Sequence, residues 1–140
     1  MTDGIAVDTS VAVPLLVASH PEHDAVVAWA DGRTLRLTGH SLAETFAVLT
    51  RLPGDARVAP ADAVTLMDSN FADTVVASKE GVAGVHRLFA RSGVAGGATY
   101  DGLVALAARE NGVALATRDA RARSTYEALG VRVVLVSPRA

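Results

Sequence analysis

Ile5-Ala6-Val7-Asp8-Thr9-Ser10 decides the architecture of this chain. Three apolar residues make a short buried strand. The acid and the two hydroxyls end it, and apolar residues then continue at helical spacing. Ser10 is a candidate cap for a helix from Val11 to about Ala18, with Pro14 expected in the first turn, where proline is tolerated. The same handover recurs near the other end. Val113 to Thr117 reads as a strand, and Arg118-Asp119 leads into a helix from Ala120 to Leu129, closed by Gly130.

The segments between follow one rhythm. Pro21 and Glu22 open a helix that Asp31-Gly32 stops, and Leu35 to Thr38 reads as a strand. Ser41 is expected to start a helix to Leu52 with Leu42, Phe46 and Leu49 as its apolar stripe. Further helices are expected from Pro60 to Asn70, from Gly81 to Arg91, and from a Thr99 cap through Glu110, with room for a short strand in 71–78. Val131 to Val136 is apolar on both faces, so it is expected to be central in a parallel sheet. Strands and helices in alternation predict one α/β domain over residues 1–140, a three-layer α/β/α sandwich with a mainly parallel central sheet.

Composition narrows the function. The net charge is −2 and the pI about 6.0, so the chain lacks the basic excess that marks many nucleic-acid-binding domains. Without cysteine it has neither disulfides nor a thiolate metal site. His20 and His23 lack further zinc ligands at suitable spacing. No apolar run approaches the roughly 20 residues of a membrane span, and the N-terminus has no leader pattern. A soluble, cytoplasmic protein is expected. Half of the residues are apolar, which compositional bias or a partner surface would equally explain.

Four acids stand out: Asp8, Glu44, Asp101 and Asp119. Each has an ordinary structural explanation. Asp8 fits a turn, Glu44 a capping box with Ser41, Asp101 the positive end of a helix dipole, and Asp119 an N-cap. Yet all four fall at strand-to-helix handovers or in first helical turns. In a parallel sheet these gather along one edge, where ligands bind. Like charges a few Å apart repel by several kcal/mol where water is partly excluded. A hard divalent cation would neutralise such a cluster, and such cations handle phosphate chemistry.

The whole chain resembles the PIN-domain family, and within it the VapC-type toxins of type II toxin–antitoxin pairs. The resemblance is carried by Asp8-Thr9-Ser10, Leu42-Ala43-Glu44-Thr45, Thr99-Tyr100-Asp101-Gly102-Leu103-Val104-Ala105 and Leu115-Ala116-Thr117-Arg118-Asp119, in that order. It implies a Mg²⁺- or Mn²⁺-dependent endoribonuclease with Asp8, Glu44, Asp101 and Asp119 as catalytic acids. Asp8, Asp101 and Asp119 would hold metal, and Thr9, Ser10 and Thr117 would orient the carboxylates. A homodimer blocked by a small VapB-like antitoxin is also implied. Where many members have a further acid, this chain has Ala120-Arg121-Ala122-Arg123, so one tightly bound ion is expected. Arg118, Arg121 and Arg123 flank the acids in sequence and are candidates for holding RNA. Two alternatives stay open. One is a haloacid-dehalogenase-like phosphatase with Asp8 as nucleophile, although Ser10 stands where that class has a second Asp and Lys79 has no fitting context. The other is a non-catalytic RNA-binding module.

Overall fold

A computed structural model describes residues 4–136. The first residues, on which the expectation of no leader rests, lie outside that range. Four strands form one parallel sheet: β1 (Ile5–Val7), β2 (Leu35–Arg36), β3 (Leu115–Thr117) and β4 (Val133–Leu135), in the order β2-β1-β3-β4. Eight α-helices accompany them among the described residues: α1 (Thr9–Leu16), α2 (His23–Ala30), α3 (Gly39–Thr50), α4 (Pro60–Asn70), α5 (Lys79–Ala83), α6 (Val85–Ser92), α7 (Ala98–Glu110) and α8 (Ala120–Ala128).

The three layers follow from the two-residue period of the central strands. Ala6 pairs in register with Leu115, and Val7 with Ala116. Successive side chains point to opposite faces, so the two pairs enter different cores. Ala6 and Leu115 join Phe89, Val104, Ala108, Tyr126 and Leu129 from α6, α7 and α8. Val7 and Ala116 join Val11, Val26, Leu49, Ala63 and Met67 from α1 to α4. Helices therefore cover both faces of the parallel sheet, as expected.

Several local expectations are corrected. β4 is an edge strand, and its Leu135 is 47% exposed, so an apolar strand here does not mean a central one. Asp8 rather than Ser10 caps α1, its carboxylate accepting from the Ser10 amide, and Pro14 falls beyond the first turn. Thr38 rather than Ser41 caps α3. The helix then starts earlier, and its buried face is Ser41, Thr45 and Leu49, while Leu42 is exposed. No side chain caps α7; Thr99 lies inside it. The expected helix over 81–91 is two helices meeting at Gly84. In 71–78 the expected strand is a single parallel bridge, Val75 to Thr38.

The sheet order explains where a ligand binds. From β1 the chain runs to β2 on one side, and β3 lies on the other. The strand order therefore reverses between β1 and β3, and the crevice outside their carboxyl ends is the expected ligand site. Asp8 directly follows β1, and Asp119 stands two residues beyond β3.

Gly102 sets the seat of α7 against α6. A Cβ there would lie 2.7 Å from the ring of Phe89, which is buried in the core. Gly102→Ala gains up to about 1 kcal/mol of helix propensity, but overpacking costs about 1–3 kcal/mol. The variant is expected to melt below the parent. A higher melting temperature would show that the ring gives way freely.

Candidate active site

A cleft of about 240 Å³ opens at this crevice, and Asp8, Glu44, Asp101 and Asp119 all line it. Four segments far apart in sequence deliver them: the end of β1, the second turn of α3, the first turn of α7 and the start of α8.

Asp8 is buried and held by three bonds. Its Oδ1 accepts from the Ser10 amide at 3.0 Å and the Ser10 hydroxyl at 2.5 Å, and its Oδ2 accepts from the Tyr126 hydroxyl at 2.8 Å. An ionised carboxylate has about four lone-pair sites, so one remains for a ligand. Burial pushes the Asp8 carboxyl above its ordinary value, while the bonds from Ser10, Thr117 and Tyr126 pull it back. Burial and the adjacent Asp8 likewise raise the Tyr126 hydroxyl, so it stays a donor.

The bonding continues to the second acid. The Ser10 oxygen accepts from the Arg118 amide at 2.8 Å and lies 3.3 Å from the Thr117 hydroxyl. Thr117 Oγ1 accepts from the Asp119 amide at 3.0 Å. Asp119 caps α8 through Oδ1 alone, accepting from the amides of Arg121 at 2.9 Å and Ala122 at 3.4 Å. Its other oxygen stays available in the cleft, so capping and ligand binding coexist in one side chain.

Glu44 does not cap its helix, since Thr38 does. Instead it accepts a short hydrogen bond from the Thr9 hydroxyl. His40, one turn earlier on α3, has Nε2 4.0 Å from Glu44 Oε2. Asp101 is half-buried, and its carboxyl is pushed up from 3.8 to about 6. Burial is the largest cause, followed by repulsion from Asp119, Asp8 and Glu44, with His40 opposing them. The four charges therefore sense one another. Among the described residues, however, no three side chains are grouped closely enough to hold a metal ion by direct contact alone.

The arginines are arranged differently from the sequence expectation. Arg118 turns toward α1 and α2, bonding the Ser10 carbonyl at 3.5 Å and lying 3.9 Å from Glu22. Arg123 pairs with Glu127 at 3.3 Å. Neither these two nor Arg121 lines the cleft; Arg51 does. Arg51, the C-cap of α3, follows Glu44 by seven residues, and both line the cleft. Tyr126 stands in the same relation to Asp119 on α8. Both are legible as helical stripes once the acids are chosen. His20 and His23 serve the backbone: His20 Nδ1 accepts from the Glu22 amide at 3.0 Å, and His23 Nδ1 donates to the Pro14 carbonyl at 2.8 Å.

Fold and cleft together define a parallel α/β protein with an all-oxygen acidic site at the switch point of its sheet. The PIN domain model matches residues 5–128. The chain is 53% identical to Ribonuclease VapC27 of Mycobacterium tuberculosis strain H37Rv, across 98% of this chain and 100% of that protein. It is 42% identical to Ribonuclease VapC40 of the same species, across 95% and 99%. Among solved structures, M. tuberculosis VapC20, described as a Sarcin-Ricin loop cleaving toxin, superposes with a TM-score of 0.65 at 19% identity, covering 86% of this chain and 93% of that one. FitAB bound to a DNA fragment superposes with a TM-score of 0.67 at 20% identity, covering 94% of each chain. This chain belongs to the PIN domain family and, within it, to the VapC-type group. Among the described residues no helix is long and apolar enough to cross a membrane.

The raised Asp101 carboxyl makes stability depend on pH. Between pH 3.8 and about 6 the folded protein holds a proton that the unfolded chain has released. This contribution to stability therefore falls as pH rises through that window. Asp101→Asn, with chelator present, is expected to raise the melting temperature by a few degrees at pH 7.5 and to change it little at pH 3.5. A variant that melts lower than the parent at pH 7.5 would contradict the repulsion.

Proposed function

We propose that this chain is a divalent-metal-dependent endoribonuclease and the toxin of a toxin–antitoxin pair. The observation that carries the proposal is the convergence of four carboxylates in one cleft, close enough for three of them to raise the fourth. Full-length identity of 53% to a protein named a ribonuclease supports RNA as the substrate.

The donor set fits a hard cation: every candidate ligand is a carboxylate oxygen. Mg²⁺ or Mn²⁺ would be the ion, and Mg²⁺ usually keeps several of its waters. Asp8, Asp101 and Asp119 would hold one ion in part through its bound waters, and Glu44 through water alone. When bound, the ion would supply an acidified water and neutralise charge at the scissile phosphate.

The chain's own residues do the positioning. Ser10 and Tyr126 fix both oxygens of Asp8, and Thr117 fixes the backbone that carries Asp119. Thr9 orients Glu44 at the mouth of the cleft. Asp101 gives up its proton to enter the charged state that a cation needs. Arg51 makes no ion pair among the described residues and offers its guanidinium to a phosphate of the bound strand. A phosphatase with Asp8 as nucleophile fits less well, because Ser10 stands where that class has a second Asp and its hydroxyl donates to Asp8.

The partner would be a small VapB-like antitoxin, and the active unit a homodimer. Solved neighbours of the same fold include a VapBC2 complex from Rickettsia felis bound to promoter DNA, with a TM-score of 0.65 at 12% identity.

Purified protein is expected to cut single-stranded RNA with Mg²⁺ or Mn²⁺ and to stop with EDTA. Asp8→Asn and Asp119→Asn should each lower the rate by about 100-fold or more while circular dichroism stays unchanged. The rate should also fall at acid pH, where protonation of Asp101 competes with the cation. Undiminished cleavage by both variants would refute the site. Arg51→Gln is expected to raise KM with little change in kcat, and to reduce the salt dependence of RNA binding by about one phosphate contact. An unchanged salt slope would remove Arg51 from the substrate path.

A further inference from the structure

Two aromatic rings stand beside Glu44 and Asp101, outside the lining of the acidic cleft, and the chemistry above makes no use of them. Tyr100 immediately precedes Asp101 in the first turn of α7, and 59% of it is exposed. Its ring stacks on that of His40, with centroids 5.8 Å apart and planes inclined by 17°. His40 belongs to α3 and reaches toward Glu44. The stack therefore bridges the two helices that supply Glu44 and Asp101.

Fold stability does not account for this arrangement. His40 Nε2 is buried and, at 4.0 Å from Glu44, too far for a hydrogen bond to it, which costs free energy. Tyr100 leaves most of its surface in water rather than burying it. What the pair does provide is a ring that is already stacked, with surface still open to solvent, one residue from an acid of the site.

We propose that the Tyr100–His40 stack is a subsite for an unpaired nucleobase, next to the phosphate that the acids address. This rests on the ribonuclease activity proposed above. Every base has a π-face, and stacking on an aromatic side chain contributes about 1–3 kcal/mol per base. Single-stranded RNA is commonly held in this way, with bases splayed onto aromatic rings. Charge offers this protein little alternative. Its net charge is −2 and its cleft is acidic, so counterion release cannot supply most of the affinity. A contact that attracts the base rather than the phosphate overcomes that deficit. Because Tyr100 rests on His40, little rotamer freedom is lost when a base lands on it.

The position also orients the strand. His40, Glu44 and Val48 follow one another along a single stripe of α3, and Arg51 at the C-cap continues it. At 1.5 Å per residue this stripe is roughly 16 Å long. A base at the His40 end and a phosphate at the Arg51 end would leave the scissile phosphate between them, beside Glu44.

The test uses fluorescein-labelled single-stranded RNA octamers, A8 and U8, and the full chain carrying Asp119→Asn so that the probe stays intact. Tyr100→Ala is expected to weaken binding by about 5- to 150-fold in fluorescence anisotropy, whereas Tyr100→Phe stays within about twofold. An octamer abasic at every position should bind Tyr100→Ala and its parent equally, because the ring then has no base to hold. Melting temperatures of the Tyr100 variants are expected to match the parent. If Tyr100→Ala binds every octamer as tightly as its parent, the subsite is refuted. If it does so and also changes the oligomeric mass in light scattering, the ring belongs to a protein interface instead, and the proposal is equally overturned. If the unmutated chain neither binds nor cuts RNA, the ribonuclease proposal fails and takes this one with it.

Discussion

The hydrogen-bonded seam across the carboxyl ends of β1 and β3 is the constraint on which the site depends. It runs from the Asp119 amide to Thr117 Oγ1, on to Ser10 Oγ, and from there to Asp8 Oδ1, with Tyr126 closing the far side of Asp8. Thr117 and Asp8 are both buried, so each polar atom there must find a partner or carry a desolvation cost. No member can move alone. A shift of one residue in the β1–β3 register would tear the seam and also exchange the two hydrophobic cores, because Ala6 with Leu115 and Val7 with Ala116 serve opposite faces. Core packing and acid placement are thus one specification. The apolar strand pair sets the register, and the register brings Asp8 and Asp119 together.

The sequence made the parallel sheet and the four acids legible because both rest on short-range patterns: apolar runs, and the acids that end or follow them. What it left unreadable was decided across space. β4 has the composition of a central strand, but strand order depends on which side of β3 has room, and composition does not encode that. Ser41 satisfies the capping-box pattern, yet Thr38 holds the cap because its bridge to Val75 fixes it in an extended conformation one turn earlier. That displacement also frees Glu44 from its structural excuse and carries it toward Thr9. Arg118, adjacent to Asp119 in sequence, lies beside Glu22 at the N-cap of α2, while Arg51, seven residues after Glu44, reaches the cleft. Adjacency in the chain was the wrong guide for the arginines; position along a helix face was the right one.

The acids are also not equivalent, and their differences follow from environment. Asp8 is paired by design of the backbone around it, so its burial is offset by donors. Asp101 has burial and three like charges against it, and the only opposing influence among its principal causes is His40. The site therefore combines one firmly held carboxylate with one strained by repulsion. Such pairing of environments is what separates a functional cluster from four independent helix caps. A protein selected for stability alone would have relieved Asp101, since neutral side chains of the same shape fit the same place.

Rigidity would let α3 serve both the proposed chemistry and the proposed recognition. A site is precise when its side chains stand on one regular element whose own position is locked. Thr45 and Leu49 are fully buried on the inner face of α3. The stripe from His40 through Glu44 to Val48 is then held in a fixed spacing by the helix itself, with Arg51 at its C-cap. Val48 lines the cleft between Glu44 and Arg51 and keeps that stretch apolar. A strand lying along this stripe would meet an aromatic ring, an acid and a guanidinium in fixed order. Selectivity along it would come from spacing set by the α-helix, not from a mobile loop.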